Sequence, residues 1–125
     1  MIYTSYFGKL RKIPEEIVRF NICLYPPGFA KNYRTIKLLC PSPSDFALYK
    51  DTRDEVRFSE CYNAQLLDLQ KTLPPKEVER QLYLFSSGLD IVLLCFEKPG
   101  DLCHRHLLRK WLNDGGVECK EWGSE

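Results

Sequence analysis

The chain has 125 residues, of which 44% are hydrophobic, 28% are charged and 13% are aromatic. This composition is typical of a globular protein, and the length predicts one α/β domain over residues 1–125, because two domains would each bury too little apolar surface. The 18 Lys and Arg residues nearly balance the 17 Asp and Glu residues, which excludes a protein that attracts nucleic acid or anionic membranes through its overall charge.

The location of the protein is predicted from what its sequence lacks. No stretch approaches the ~18 apolar residues that span a bilayer, and the first residues turn polar too early for a signal peptide. We therefore expect a cytoplasmic protein without a membrane-spanning segment. In that setting reduced thiols are favoured over disulfides for the six cysteines, which are Cys23, Cys40, Cys61, Cys95, Cys103 and Cys119.

The first third of the chain favours strands and loops. Residues 2–7 are aromatic and β-branched, and residues 18–25 alternate apolar and polar side chains, so both predict strands. Residues 14–16 suit one helical turn at most. Residues 26–43 mix Pro, Gly, Lys and Asn with an extended segment at 35–40, which predicts a long loop with an edge strand.

Three helices are predicted in the middle of the chain. Ser44 precedes residues 45–50 and is a candidate cap for a short helix. A second helix is expected from about Ser59 to Lys71, since its apolar residues recur at helical spacing. The third begins at the Pro74–Pro75 pair and stops at Gly88. The side chains expected to face inward are Phe58, Tyr62, Leu66 and Leu69, and then Val78, Leu82 and Phe85.

The last third predicts a central strand, a helix and a final strand. Residues 90–96 are a continuous apolar run of strand length, as in a parallel strand covered on both faces. Asp101 is the candidate cap of the next helix, which packs Leu107, Leu108, Trp111 and Leu112 inward and ends at residues 115–116. Residues 117–122 form the last strand. This alternation predicts a small, mainly parallel sheet flanked by helices on both faces, doubly wound and Rossmann-like.

The junction after the central strand is the predicted site, because ligands bind beyond the carboxyl ends of strands in such sheets. Arg105 lies in the first turn of the following helix, where the helix dipole and a guanidinium both favour an anion such as phosphate. Arg109, one turn later, is assigned to the same anion. An alternative stays open for Arg105, namely a structural ion pair with Glu97.

Three residues of this junction are candidates for catalysis. Cys103 stands beside His104 and Arg105 at the helix start, where a thiolate is stabilised, so it is the candidate nucleophile. Glu97 follows a buried strand and is a candidate acid or base. Burial raises the pKa of a carboxyl group and a nearby arginine such as Arg105 lowers it, so the sequence does not decide the direction of the shift. His104 is preferred to His106, because residues two apart point to different faces of a helix.

The surroundings of the site complete the prediction. Cys95, Tyr3 and Tyr62 are expected to line the pocket. A zinc site built from Cys95, Cys103, His104 and Cys119 lacks the close cysteine pairs that structural zinc prefers, so neither a metal nor another cofactor is predicted.

The residues 94–105, LCFEKPGDLCHR, resemble the signature of the domain of unknown function 488 family, which runs LLC-x-E followed by CHR. Weaker likenesses lie at residues 2–4, at 41–42 with Phe46, at 49–51 and at Tyr62. Residues 21–26 depart from the Asp-Val-Arg stretch of many members. The resemblance implies a compact α/β domain of bacteria and their phages, without a reaction that carries over.

Two functional hypotheses follow. The first is a small enzyme or binding domain for a phosphate-bearing or nucleotide-like ligand at the Cys95–Arg105 junction. The second is a non-catalytic module that binds nucleic acid or a protein through one cationic face, formed by Arg105, Arg109 and Lys110 with Lys31, Arg34 and Lys37.

Overall fold

A single parallel sheet organises the protein. The computed structural model describes residues 1–96 and 103–123. Its strands are β1 (Ile2–Tyr6), β2 (Val18–Asn21), β3 (Arg34–Thr35), β4 (Ile91–Cys95) and β5 (Cys119–Glu121). They lie in the order β3-β2-β4-β1-β5, and every pair is parallel. The predicted parallel sheet is thereby confirmed.

The connections divide between the two faces of this sheet. The α-helices are α1 (Pro43–Thr52), α2 (Glu55–Leu69), α3 (Pro75–Ser86) and α4 (His104–Asp114), and 3-10 helices cover Phe7–Lys12, Gly28–Ala30 and Lys37–Leu39. The chain runs from β1 to β3 toward one edge and from β3 to β5 toward the other. Since crossovers are right-handed, these two sets of connections lie on opposite faces, which is the predicted doubly wound α/β arrangement.

Side-chain contacts agree with this division. Asn21 donates a hydrogen bond to the carbonyl of Ala30, on the face covered by the first two 3-10 helices. Asn21 is in register with Leu94, and the next residue, Cys95, therefore points to the opposite face, where it meets Arg105 of α4. Within the described residues no helix has the length and apolar character needed to cross a bilayer.

The centre of the core is β4, as the continuous apolar run predicted. All five residues of this strand are 0% exposed. Tyr62 and Leu66 of α2 and Leu108 and Leu112 of α4 belong to the same buried cluster, so the predicted inward stripes of both helices are confirmed at these positions.

Several predicted boundaries are wrong because more than one residue could cap each helix. The hydroxyl of Ser42, rather than Ser44, accepts from the backbone N–H of Asp45 and begins α1. The carboxylate of Asp54 begins α2, five residues before the predicted Ser59. Local propensity ranks Ser and Asp as similar caps and does not choose between neighbours.

Three further expectations need correction. The residue at the cap of α4 is Cys103, so the prediction that Asp101 caps this helix is wrong, and Asp101 lies outside the described residues. β2 ends at Asn21 rather than at residue 25. Phe85 was expected inside but is 57% exposed, and the guanidinium of Arg34 stacks over its ring at 4.4 Å.

The contact between α3 and α4 predicts a sharp difference between two glycines. A Cβ atom on Gly115 would overlap the ring of Pro75 at the start of α3, whereas a Cβ on Gly28 would meet no atom within 4 Å. We expect Gly115→Ala to lower the free energy of unfolding by about 1–3 kcal/mol, as overpacking does, and Gly28→Ala to change it by less than about 0.5 kcal/mol. Urea unfolding of both variants checks this, and equal effects would contradict the proposed packing of α3 against α4.

Candidate functional site

A cavity lies where the direction of the chain reverses within the sheet. The connection after β2 leads toward one edge and the connection after β4 toward the other, so the crevice beyond these two neighbouring strands is the topological switch point. A cavity of about 260 Å³ opens there. Its walls include residues that follow each strand, namely Cys23, Leu24 and Tyr25 after β2 and Phe96, Cys103 and His104 after β4.

The rest of the wall is aromatic and cationic. The aromatic side chains are Tyr25, Phe46, Tyr49, Phe58 and Phe96, and the cations are Lys50 and Arg53 at the end of α1. The guanidinium of Arg53 lies 5.7 Å from the ring of Tyr49, and the Lys50 ammonium lies 5.5 Å from the ring of Phe46, distances at which a cation is attracted to a ring face. No carboxylate is among the described lining residues.

A more open groove of about 680 Å³ lies beside β2 and β3. Its lining contains neither cysteine nor histidine among the described residues. The guanidinium of Arg19, which lines this groove, already donates to the carbonyls of Ile13, Pro14 and Ile17. We therefore take the switch-point cavity as the candidate site.

Two sulfur atoms meet at the inner wall of the cavity. The Sγ atoms of Cys95 and Cys103 are in direct contact and are joined as a disulfide, with Cα atoms 7.5 Å apart. Most disulfides have Cα atoms roughly 4.4–6.8 Å apart, so the separation of this pair lies above the usual range. The expectation of reduced thiols is wrong for this pair, while Cys23, Cys40, Cys61 and Cys119 are not in disulfides.

Arg105 is held behind this sulfur pair. Its side chain is 0% exposed, and its Nη1 donates to Cys95 Sγ at 3.2 Å. Its Nε and Nη2 meet the carboxylate of Glu121 at 3.0–3.2 Å. The predicted alternatives for Arg105 were an anion or Glu97. Glu97 lies outside the described residues. The sequence analysis did not predict Glu121 as the partner of Arg105, although its place at the end of the last strand was a signal that it could lie near the site.

Glu121 is the centre of a wider polar network. Thr4 Oγ1 donates to it at 2.7 Å, and Arg109 Nη1 lies 3.5 Å from it and 3.0 Å from Nδ1 of His106. Burial acts to raise the pKa of Glu121, but the hydrogen bonds from Arg105 and Thr4 and the charge of Arg105 outweigh burial, so this pKa lies below its ordinary value. Glu121 is therefore a carboxylate near neutral pH and compensates the Arg105 charge.

His104 is a neutral imidazole in this setting. It is 5% exposed, its Nε2 donates to the carbonyl of Ile22 at 2.5 Å, and its ring meets the edge of Tyr62 at 5.1 Å. Burial lowers the pKa of His104 to about 4, with Arg105 adding to the decrease and the Ile22 contact opposing it. Catalysis by His104 as an acid or base stays a prediction. The proton would be exchanged at Nδ1, because Nε2 is already hydrogen-bonded to the carbonyl of Ile22.

The two tyrosines predicted to line the pocket lie elsewhere in the core. The hydroxyl of Tyr62 donates to the carbonyl of Leu39 at 2.6 Å, and Tyr3 packs edge-on against Trp122 at 4.9 Å. The described lining of the cavity includes neither of them, nor Cys95, which lies behind Cys103. Lys50 and Arg53 were missed, although residues 49–51 belonged to the segments that carried the family likeness.

The predicted cationic face is divided by the sheet. Arg34 lies on β3 at one edge, while Arg109 contacts Glu121 on β5 at the opposite edge. Arg105 is buried, and Lys110 is paired with Asp114. These residues therefore do not form one continuous surface. In the part of the chain described, no group of three His, Cys, Asp or Glu residues is arranged to hold a metal ion.

The fold and the site define a doubly wound α/β protein with a cationic, aromatic cavity at its switch point. The family model DUF488-N3a, described as "Active DUF488-N3 subclade", matches residues 2–116. The chain therefore belongs to this subclade of the DUF488 family, as the signature at residues 94–105 predicted. No match was found among the curated proteins or among the solved structures.

Proposed function

We propose that this protein is a small enzyme that binds a phosphate-bearing, nucleotide-like molecule in the cavity beyond β2 and β4. The observation that carries the proposal is the composition of the cavity wall, in which two cations and five aromatic residues line the same cavity as Cys103. The location supports it as well, since ligands of open parallel sheets bind at switch points.

The charge of the wall favours an anion. Lys50 and Arg53 are exposed cations, the described lining contains no carboxylate, and His104 is neutral because burial holds its pKa near 4. Arg105 and Arg109 are already paired with Glu121. We therefore assign the phosphate to Lys50 and Arg53, and the predicted anion binding by Arg105 and Arg109 would require the ligand to share these residues with Glu121.

The aromatic side chains favour a flat ring at the other end of the ligand. Phe46, Tyr49 and Phe58 come from α1 and α2, and Tyr25 and Phe96 follow the two strands. Stacking on such side chains contributes about 1–3 kcal/mol per base in single-strand binding proteins. A nucleobase between these rings and a phosphate at Lys50 and Arg53 would use both halves of the wall.

Cys103 is the proposed nucleophile. It stands at the cap of α4, where its sulfur accepts from the backbone N–H of Arg105 at 3.5 Å, and the positive end of the helix favours a thiolate. His104 beside it and Glu97, from its place after β4 in the sequence, are the proposed acid or base residues. The word "active" in the description of the subclade supports an enzyme.

Calorimetric titration with adenosine and uridine monophosphates tests the binding proposal. We expect Lys50→Ala and Arg53→Ala each to weaken binding about tenfold to a hundredfold, the equivalent of one charge-assisted hydrogen bond of ~1.5–3 kcal/mol. The matched control is Lys110→Ala, whose side chain is 74% exposed, pairs with Asp114 and does not line the cavity. The parent nucleosides should be insensitive to all three substitutions.

Labelling of Cys103 provides the second arm. In fully reduced protein, iodoacetamide should modify Cys103 near neutral pH, and the bound nucleotide should slow that reaction. Nucleotide binding that is unchanged in Lys50→Ala and Arg53→Ala, or labelling of Cys103 that no nucleotide slows, would contradict the proposed site.

A further inference from the structure

We infer that Cys95 and Cys103 form a thiol–disulfide exchange site for small anionic disulfides, with Cys103 as the thiol that attacks a disulfide in the cavity and Cys95 as the thiol that resolves the mixed disulfide. The two residues are eight apart in sequence and their Sγ atoms are in contact. One belongs to the end of β4 and the other to the cap of α4. The sheet and the helix thus present a dithiol at the cavity wall.

The two sulfurs differ in access. Both residues are buried, at 2% exposed for Cys103 and 0% for Cys95, but only Cys103 is among the residues that line the cavity. A disulfide that enters the cavity therefore meets Cys103 first. Cys95 lies within reach of any mixed disulfide formed on Cys103, which is the arrangement of an attacking and a resolving thiol.

Arg105 favours thiolates at both positions. Its guanidinium donates to Cys95 Sγ at 3.2 Å, and its backbone N–H donates to Cys103 Sγ at 3.5 Å. Two other buried cysteines show the opposite setting, since burial raises the pKa of Cys40 and of Cys119 to about 12. Exchange needs a thiolate, so Cys40 and Cys119 are poor candidates for it.

Lys50 and Arg53 at the cavity suit a disulfide that carries carboxylates, such as oxidised glutathione. The Cys103 thiolate attacks one sulfur of glutathione disulfide, which forms a Cys103–glutathione mixed disulfide and releases one glutathione thiolate. The Cys95 thiolate then attacks the Cys103 sulfur, which forms the Cys95–Cys103 disulfide and releases the second glutathione. The protein dithiol loses two electrons and two protons, and glutathione disulfide is reduced to two thiols.

The test equilibrates the protein with defined mixtures of reduced and oxidised glutathione, followed by acid quenching, alkylation and mass spectrometry. Trypsin leaves both cysteines in the peptide 81–105, which contains no other cysteine. We expect the doubly alkylated form of this peptide to be replaced by an unalkylated form. The mass of that form should be two hydrogen atoms below the mass of the dithiol peptide. In Cys95→Ser the Cys103–glutathione mixed disulfide should accumulate, and in Cys103→Ser the Cys95 thiol should stay unmodified.

Cys61, half-buried on α2 and outside the cavity, is the internal comparison. Glutathione should modify Cys103 of Cys95→Ser about tenfold or more faster than Cys61, because of its thiolate character. The inference is overturned if peptide 81–105 stays reduced under conditions that modify Cys61, or if Cys95 of Cys103→Ser reacts as fast as Cys103 of Cys95→Ser.

Two features keep this test decisive. If Cys95→Ser does not fold, the time course of wild-type protein still applies, since the mixed disulfide on Cys103 must appear before the internal disulfide. Nucleotide binding is measured on reduced protein, so failure of the nucleotide proposal and failure of the exchange site are distinguished.

Discussion

Glu121→Ala is expected to lower the free energy of unfolding by about 3–5 kcal/mol, a large share of the ~5–15 kcal/mol that stabilises an ordinary domain. The substitution removes the carboxylate that meets Nε and Nη2 of Arg105 and leaves the guanidinium charge at 0% exposure. It also removes the acceptor of the Thr4 hydroxyl. Loss of one partner from a buried pair costs far more than the pair contributes in water.

The matched control for this variant is Glu118→Ala, three residues earlier. Glu118 pairs with Lys120 at 3.5 Å, and both side chains are more than half exposed, so its loss should cost less than about 1 kcal/mol. Urea unfolding near pH 7 measures both variants. A Glu121→Ala protein as stable as Glu118→Ala would show that Arg105 does not depend on Glu121 for its compensation.

Glu121 also predicts a loss of stability in acid. Its folded pKa lies below its ordinary value of 4.5, so the unfolded chain takes up the proton first as the pH falls. The stabilisation is therefore complete above about pH 4.5 and is lost as the pH falls through the folded pKa. Glu121→Gln should flatten this part of the pH profile, and an unchanged slope below pH 4.5 would contradict the assignment.

The second large effect comes from His104, between about pH 6.5 and pH 4. Burial lowers its folded pKa from 6.5 to about 4, so in this range the unfolded chain binds a proton that the folded protein does not. Stability therefore falls as the pH falls, by about 3 kcal/mol over the whole range, at ~1.4 kcal/mol per unit of pKa difference. Above pH 6.5 the contribution is constant.

His104→Gln separates this effect from the rest of the pH profile. The glutamine amide stays neutral and can replace the Nε2 donor to the carbonyl of Ile22. Chemical unfolding at several pH values should show a weaker decline between pH 6.5 and pH 4 in this variant. His106→Gln is the comparison, since burial and two arginines lower the pKa of His106 but its side chain is only partly buried. If both variants retain the wild-type slope, His104 is not the group that titrates.

These two effects concern the residues that position the sulfur pair. Glu121 holds Arg105 against Cys95, and His104 ties the start of α4 to the chain that follows β2. A fall in pH therefore weakens the contact of Arg105 with Glu121 and the contact of His104 with Ile22. The polar network and the proposed chemistry of the cavity depend on the same few contacts.

The sequence predicted the parts of the site that lie close together along the chain. Cys103, His104 and Arg105 follow one another, and the apolar run that ends at Cys95 identified the strand that precedes them. It also predicted that two neighbouring histidines would lie in different surroundings, and the structure confirms this, since His104 contacts Ile22 whereas His106 contacts Arg109. Local patterns carry this information because helix and strand periods fix which neighbours share a face.

Partners far apart in the chain were decided only by the tertiary structure. Arg105 could pair with any carboxylate near the carboxyl ends of the strands, and the choice of Glu121 depends on β5 lying beside β1. Lys50 and Arg53 line the cavity because α1 packs near the crevice beyond β2 and β4. Strand order is set by the packing of the whole core rather than by local propensity. The sequence alone therefore predicted the parallel sheet, the main helices and the junction that borders the candidate cavity, and the fold determined which charges meet there.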